Sequence, residues 1–93
     1  MIRSTRDAAT AEILAGKRTR GLPPDIQIAA LRKLLILEAA TTLADLRTPP
    51  GNRLEALSGG RRGQHSIRVN DQWRICFRWR DGDAYDVEIV DYH

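Results

Sequence analysis

The 93-residue sequence has little of what several protein classes need. Cys76 is its single cysteine, which excludes an intramolecular disulfide framework. No stretch approaches the roughly 20 apolar residues that span a bilayer, and residues 1–4 contain no apolar core of a signal peptide. With His65, His93 and Cys76 as the only soft ligands, a zinc cluster is not expected. We therefore expect a cytoplasmic protein without a membrane contact, and chemistry without a metal or other cofactor.

Lysine is also scarce, whereas arginine is abundant. Thirteen of the fifteen basic residues are Arg, and the exceptions are Lys17 and Lys33. Because the planar guanidinium can make paired hydrogen bonds to phosphate, this bias is typical of proteins with a nucleic-acid partner. Residues 61–80 contain six Arg and one acid, while residues 81–93 contain five acids and no Lys or Arg. These charges could instead pair across neighbouring strands, so charge alone leaves both interpretations open.

The length allows one domain with a modest core, spanning residues 1–93. Its first part predicts a short strand over residues 2–6 and then a helix that Asp7 caps and Gly16 ends. A basic loop follows this helix. The cationic side chains of the loop are Lys17, Arg18 and Arg20.

A second helix is predicted from the Pro23-Pro24 pair to about residue 40, and it has two apolar stripes. Four residues at helical spacing should pack on a sheet: Ile26, Ala30, Leu34 and Leu37. The second stripe consists of Ile28, Leu31 and Leu35. This second stripe either packs against the first helix in a helical hairpin or meets a partner protein.

The loop T-P-P-G-N over residues 48–52 separates this helical half from a stranded half, because neither a helix nor a central strand tolerates it. A helical turn over residues 42–47 precedes the loop. Four strands are predicted, over residues 53–57, 64–70, 73–80 and 84–92, with a flexible basic turn over residues 58–63. The order of elements predicts an α+β fold.

Alternation along the predicted strands sorts side chains onto two faces. Trp73, Ile75, Phe77 and Trp79 should face the core, while Arg74, Cys76, Arg78 and Arg80 should share an open face. By the same rule Ser66, Arg68 and Tyr92 join the open face, which we call the arginine face. Pairing of antiparallel strands should bring Arg68, Arg74 and Arg78 around Tyr92 and His93.

An RNA-cleaving site without metal needs cations for the scissile phosphate, a base for the 2′-hydroxyl and an acid for the leaving 5′-oxygen. Arg68 and Arg74 are the candidate cations. His93, with an ordinary pKa near 6.5, is the candidate for proton transfer, with Asp91 or Tyr92 assisting. The other candidate base is Glu55. Simpler interpretations are a mobile tail for His93 and a salt-bridged surface residue for Glu55, and we expect His65 and Cys76 to be packing residues.

Three segments carry a resemblance to a known family. They are P-G-N-R-L-E-A-L at residues 50–57, G-Q-H-S-I-R-V-N-D-Q-W-R-I-C-F at residues 63–77 and V-E-I-V-D-Y-H at residues 87–93. Together they resemble the HigB and GraT branch of the RelE/ParE toxin superfamily. The resemblance implies a RelE-like, microbial-ribonuclease-type fold with two N-terminal helices packed on an antiparallel sheet. It also implies cleavage of mRNA in the ribosomal A site and neutralisation by a HigA-type helix-turn-helix antitoxin, which alone would contact operator DNA.

Residue by residue, the family's phosphate-binding arginines match Arg74 and Arg68, and its terminal catalytic trio matches Asp91, Tyr92 and His93. The sequence departs from some HigB toxins at Glu55 and Ser58, where they carry a His and a Lys. Either Glu55 substitutes as the general base, or His93 and Asp91 share proton transfer. GraT-like sequences share the glutamate.

The leading hypothesis is a metal-independent endoribonuclease toxin that acts on ribosome-bound mRNA. Two alternatives stay open at this point: a ParE-like toxin that inhibits DNA gyrase without catalysis, and an RNA-binding regulatory module that does not cleave. Further arginines and a lysine should contact RNA of the ribosome, namely Arg61, Arg62, Arg78, Arg80, Lys17, Arg18 and Arg20. The antitoxin should contact the second apolar stripe and the basic loop.

Overall fold

A computed structural model describes residues 1–92, and in this part of the chain two α-helices lie beside a four-stranded antiparallel sheet. The helices are α1 (Ala8–Leu14) and α2 (Gln27–Ala39), and the strands are β1 (Glu55–Ala56), β2 (His65–Arg68), β3 (Trp73–Arg80) and β4 (Asp83–Asp91). Each strand pairs with its neighbour in the sequence, in the order β1-β2-β3-β4. The predicted α+β class is confirmed. None of the helices within residues 1–92 has the length and apolar character of a bilayer crossing.

The first helix begins and ends where local signals place its ends. The Asp7 side chain accepts a hydrogen bond from the Thr10 amide at 2.8 Å, and Gly16 follows the helix with a φ of +80°. Thr10 is buried, and its hydroxyl oxygen accepts from the Ile89 amide at 3.1 Å. A side chain in the first turn therefore fixes α1 against β4.

The second helix follows a single 3₁₀ turn, Pro24–Ile26. Its core stripe is as predicted, since Ile26, Ala30, Leu34 and Leu37 are all buried. They share one cluster with Ile13 of α1 and with the apolar side chains of the sheet, which include Ile67, Ile75, Phe77, Val87 and Ile89. Trp73 and Trp79 pack at the margin of this cluster and stay partly exposed.

The second apolar stripe of α2 is not covered by α1. Ile28 is 69% exposed and Leu35 is 52% exposed, whereas Leu31 is partly buried. At about 1.5 Å per residue, the seven residues of α1 reach only about half the length of the 13-residue α2. The helical-hairpin interpretation is therefore wrong for Ile28 and Leu35.

The predicted N-terminal strand is wrong as a continuous strand. The segment makes two isolated parallel bridges to β4, Ile2 with Ala84 and Thr5 with Val87. Between these bridges β4 has a bulge, where Asp86 takes a φ of +52° and the pairing with β3 shifts register. The extra residue breaks the ladder. It also lets Ala84 and Val87 both face the core, although they are three residues apart.

The first sheet strand is shorter than the predicted range of residues 53–57, because Arg53 takes a left-handed conformation with a φ of +45°. A 3₁₀ turn, Pro50–Asn52, lies just before it, inside the loop where no helical structure was expected. Asn52 is buried and donates to the carbonyl oxygens of Leu46 (3.2 Å) and Thr48 (3.3 Å). Lys33 of α2 donates to Asn52 Oδ1 at 2.5 Å. Asn52 thus connects this loop by hydrogen bonds both to residues that precede it in the sequence and to α2.

Candidate active site

Strand register brings polar side chains from all four strands onto one face of the sheet. Directly opposed residues form one row, Glu55, Ser66, Cys76 and Glu88, and a second row, Arg68, Arg74 and Val90. Opposed residues of antiparallel strands project to the same side. The rows belong to the arginine face, which lies on the side of the sheet opposite to the core cluster.

Arg74 is buried on this face, which corrects the expectation that it is open. The residue is only 8% exposed, and Ser66 and Cys76 beside it are fully buried. Arg74 Nε donates to Ser66 Oγ at 2.8 Å, and Arg74 Nη2 donates to the Arg53 carbonyl oxygen at 2.7 Å. Alternation along a strand predicts the side to which Arg74 points, but it does not predict that the carbonyl oxygen of the left-handed Arg53 lies within hydrogen-bond distance there.

A carboxylate and a phenol lie next to the Arg74 guanidinium. Glu55 Oε1 is 3.8 Å from Arg74 Nη2, and the Glu55 side chain is 54% exposed. Arg74 Cζ lies 5.7 Å from the centre of the Tyr92 ring, within the range of a cation–π contact. The site therefore holds a fixed cation between an accessible acid and an accessible aromatic ring.

Arg68 is paired with Arg74 through the backbone, but its side chain turns to the β2–β3 connection. There Arg68 Nη2 forms an ion pair with Asp71. The pKa of Lys33 is lowered, mainly by burial and in addition by the positive charge of Arg68. Arg68 thus lies at the margin of the arginine face that is nearer to α2.

Arg61 and Glu88 form a pair over the arginine face that the sequence did not indicate. Arg61 Nη1 donates to Glu88 Oε1 at 2.7 Å and to Gln64 Oε1 at 3.0 Å. The hydrogen bond to Glu88 raises the pKa of Arg61. The turn around Arg61 is a short 3₁₀ helix, Gly59–Arg61, and the predicted flexibility of this turn stays a prediction. Alternation counted back from Tyr92 would have placed Glu88 on this face.

Cys76 is the packing residue that the sequence predicted. Burial raises the pKa of its thiol, an effect that the nearby charges of Arg61 and Arg74 partly oppose. A buried thiol with a raised pKa stays protonated at neutral pH and is a poor nucleophile.

The other two arginines of β3, Arg78 and Arg80, lie toward its C-terminal end. Arg78 Nε is 3.7 Å from Asp86 Oδ2, and Arg80 stacks on Tyr85 with its Cζ 4.7 Å from the ring centre. Gly63 has a φ of +92°, and a Cβ there would lie 2.9 Å from Arg78 Nη1, so the basic turn approaches Arg78 closely. Arg62, beside this glycine, is exposed.

The end of β4 carries the other predicted catalytic residues. Asp91 is exposed and accepts a hydrogen bond from Gln72 Nε2 at 3.0 Å. The Tyr92 amide donates to the Gln72 carbonyl oxygen at 2.7 Å, which extends the pairing by one residue. His93 lies outside the described residues, so its predicted role in proton transfer stays a prediction.

His65 lies on the core side of β2. Its ring stacks on Phe77, with ring centres 6.3 Å apart, and within residues 1–92 its Nδ1 is buried without a hydrogen-bond partner. This position fits a partly buried structural histidine. The described part of the chain contains no group of three or more His, Cys, Asp or Glu side chains that could hold a metal ion.

A second concave surface lies on the helical side of the sheet. It is a groove of about 680 Å³ between the end of α1, the basic loop and the first turns of α2. The residues that line it include Ile13, Ile28 and Leu31, with Lys17, Arg18 and Arg20 from the loop. The basic loop and part of the second apolar stripe therefore meet in one place, which we call the helical groove.

Comparison with known proteins identifies the group to which this architecture belongs. Residues 12–93 match the family described as the RelE-like toxin of the type II toxin-antitoxin system HigB. The chain is 54% identical over 73 residues to Toxin HigB-1 of Vibrio cholerae serotype O1, covering 78% of this chain and 77% of that protein. It is 35% identical over 75 residues to Endoribonuclease HigB of Proteus vulgaris, covering 81% and 80% of the two chains. The chain therefore belongs to the HigB family of RelE-like toxins of type II toxin-antitoxin systems.

Proposed function

We propose that the arginine face cleaves messenger RNA on the translating ribosome, by attack of a 2′-hydroxyl on the adjacent phosphate and without a metal ion. The observation that carries this proposal is the Arg74 guanidinium, which Ser66 and Arg53 hold at 2.8 and 2.7 Å beside Glu55 and Tyr92. A fixed cation stabilises charge that develops on a phosphate without having to reorganise during the reaction. The name of the Proteus vulgaris relative, an endoribonuclease, supports the same chemistry.

In the proposed reaction Arg74 holds the oxygens of the scissile phosphate, and Arg68 joins it by exchanging its ion pair with Asp71 for the phosphate. The 2′-oxygen forms a new bond to phosphorus as the bond from phosphorus to the 5′-oxygen breaks. One fragment ends in a 2′,3′-cyclic phosphate and the other begins with a 5′-hydroxyl. Cations are needed because negative charge accumulates on the phosphate oxygens in the transition state.

Two proton transfers accompany this step. Glu55 is the proposed base, since its carboxylate is accessible and lies 3.8 Å from the phosphate-binding Arg74. His93 is the proposed acid that protonates the leaving 5′-oxygen, and Asp91 orients it. Tyr92 offers a ring on which a base of the RNA can stack.

The partners follow from the same proposal. The outer arginines of the sheet, Arg78 and Arg80, together with Arg62 of the basic turn, would contact ribosomal RNA in the cytoplasm. A HigA-type antitoxin with a helix-turn-helix domain would bind the helical groove and contact operator DNA itself. Because this groove and the arginine face lie on opposite sides of the sheet, inhibition would come from the bulk of the antitoxin, which would block entry into the ribosome.

The test is cleavage of a defined message by the purified protein, in a translating extract and as free RNA. We expect cuts within the translated region, mapped by primer extension, and little cleavage of free RNA. Equal cleavage with and without ribosomes would contradict the ribosome dependence. Growth arrest without RNA cleavage, accompanied by altered plasmid supercoiling, would contradict the proposed activity as a whole.

A further inference from the structure

The mechanism above assigns no role to one ion pair on the arginine face, that of Arg61 with Glu88. These residues are 27 positions apart, and the distance from Arg61 Nη1 to Glu88 Oε1 is 2.7 Å. Glu88 is opposite Cys76 in the register of β3 and β4, two positions from the Arg74–Val90 pair and next to it on the same face. The carboxylate of Glu88 would repel the phosphate of a bound RNA, so its presence on a phosphate-binding face has to be explained.

The hydrogen bonds of Arg61 explain why a carboxylate lies there. The bonds to Glu88 and Gln64 both use Nη1 of Arg61, and neither uses Nε or Nη2. A guanidinium has five N–H donors in a rigid plane, so it can bind a carboxylate at one edge and a phosphate at another. The Arg61 side chain is one-third exposed and Glu88 is more deeply buried. Glu88 thus binds Arg61 at Nη1, and the Nε and Nη2 donors of this partly exposed side chain are not used by either bond.

Arg61 is also close to the other groups of the site. Its charge interacts with Tyr92 and with Cys76, and Cys76 interacts with Arg74 as well. Tyr92 is the ring against which Arg74 lies. The Arg61 guanidinium and the Arg74 guanidinium therefore both belong to the arginine face, since Glu88, which accepts the hydrogen bond from Arg61, lies on that face in the row next to Arg74.

We propose that Glu88 is a positioning residue that holds the Arg61 guanidinium over the arginine face, where Arg61 contacts the scissile phosphate together with Arg74. This inference rests on the proposed function and changes the predicted role of Arg61 from a peripheral contact with the ribosome to a catalytic one. An arginine on a glycine-rich turn would otherwise lose rotamer freedom at each encounter with RNA. The ion pair with Glu88 orders the Arg61 side chain before RNA binds, so this entropy is not lost on binding.

The experiment measures single-turnover cleavage on preformed ribosome–message complexes, which separates the maximal rate constant from the half-saturating toxin concentration. Arg61→Ala should lower the maximal rate constant by about 100-fold, the effect of losing one donor to the developing charge. Glu88→Ala should lower it by about tenfold, and Glu88→Gln by less, because the amide oxygen still accepts a hydrogen bond from Arg61. Arg32→Ala, which removes an exposed arginine from α2, should retain the wild-type rate constant.

The double variant Arg61→Ala/Glu88→Ala decides between positioning and an independent role. If Glu88 acts only through Arg61, the double variant should be no slower than Arg61→Ala alone. Multiplicative losses would overturn the inference, as would a wild-type rate constant in Arg61→Ala. Loss of the acidic limb of the pH–rate profile in Glu88→Gln would make Glu88 a general base, which also contradicts a positioning role.

Two controls keep the outcomes separate. Thermal unfolding shows whether a variant is folded at the assay temperature, and if Glu88→Ala is not, then Glu88→Gln and the Arg61 variant carry the test. Binding of single-stranded RNA gives a readout without cleavage, and Arg61→Ala should reduce the slope of log affinity against log salt by about 0.7. If the wild-type protein cleaves nothing, the proposed function fails, while an unchanged salt slope would reject the phosphate contact of Arg61 by itself.

Discussion

The arginine face and the helical groove both present arginines, but they hold them differently. On the arginine face Arg74 is buried and bonded to Ser66 and Arg53, and Arg61 is bonded to Glu88. In the helical groove the cationic side chains of the basic loop are exposed, as is Ile28 beside them. Fixed cations suit a reaction in which charge develops at one point. Exposed cations around an apolar floor suit a protein partner, which can adapt to them.

The largest effect is expected from a variant of the arginine face that keeps the positive charge at residue 74 but changes the hydrogen bonds that hold it. Arg74→Lys retains one positive charge, but its single nitrogen replaces a rigid plane in which Nε donates to Ser66 and Nη2 to Arg53. We expect message cleavage in a translating extract to fall by about 100-fold or more. The measurement is the rate of appearance of the mapped cleavage product.

Because Arg74 is buried, its replacement also affects stability, and thermal unfolding of Arg74→Lys must accompany the assay. A folded variant with reduced cleavage supports the interpretation of a pre-organised cation. A folded variant that cleaves at the wild-type rate would show that charge alone is sufficient on this face.

A second prediction compares the two sides of α2 through adjacent leucines. Leu34 is fully buried in the core cluster, whereas Leu35, of the second apolar stripe, is 52% exposed. Leu34→Ala should lower the free energy of unfolding by about 2–5 kcal/mol, and Leu35→Ala should change it by no more than about 0.5 kcal/mol. Urea unfolding of both variants measures the difference. A large loss in Leu35→Ala would mean that the second apolar stripe supports the fold rather than a partner.

A third, smaller effect concerns the charges around the helical groove. Reversal of two of them, in Arg18→Glu/Arg20→Glu, should weaken binding of the antitoxin by about tenfold, since exposed charges at an interface margin contribute modestly. Titration calorimetry with the purified antitoxin gives the dissociation constant. Arg62→Glu on the other side of the sheet is the matched control, with an unchanged constant expected. If the double variant also binds normally, the basic loop is not part of the interface.

The sequence predicted those elements whose signals are local. The helix after Pro24 was predicted because its apolar spacing and its proline start agree, and β3 was predicted with its observed ends because alternation is strict between Trp73 and Arg80. The N-terminal strand failed because its partner β4 carries a bulge at Asp86. The sequence of residues 2–6 contains no signal of a bulge in the neighbouring strand, so it could not predict the interruption.

The candidate site was predicted only in part, because strand alternation is a local signal and contacts between distant segments are not. Alternation placed Arg74 and Tyr92 on one face, and the structure brings them together. The hydrogen bond from Arg74 to the Arg53 carbonyl oxygen spans 21 positions, and the proposed role of Glu88 depends on a contact with Arg61 across 27 positions. Alternation along a strand predicts which side of the sheet a residue faces, but it does not predict such contacts with residues distant in the sequence.

The most direct test of the proposed chemistry replaces one nucleotide of the message. Cleavage is first mapped in a translating system, and the nucleotide on the 5′ side of the cut is then synthesised with 2′-deoxyribose, which lacks the attacking hydroxyl. If the 2′-hydroxyl attacks, the cut at this position should disappear while neighbouring cuts persist, and the unmodified product should end in a 2′,3′-cyclic phosphate. Undiminished cleavage at the 2′-deoxy position would contradict 2′-hydroxyl attack on the arginine face.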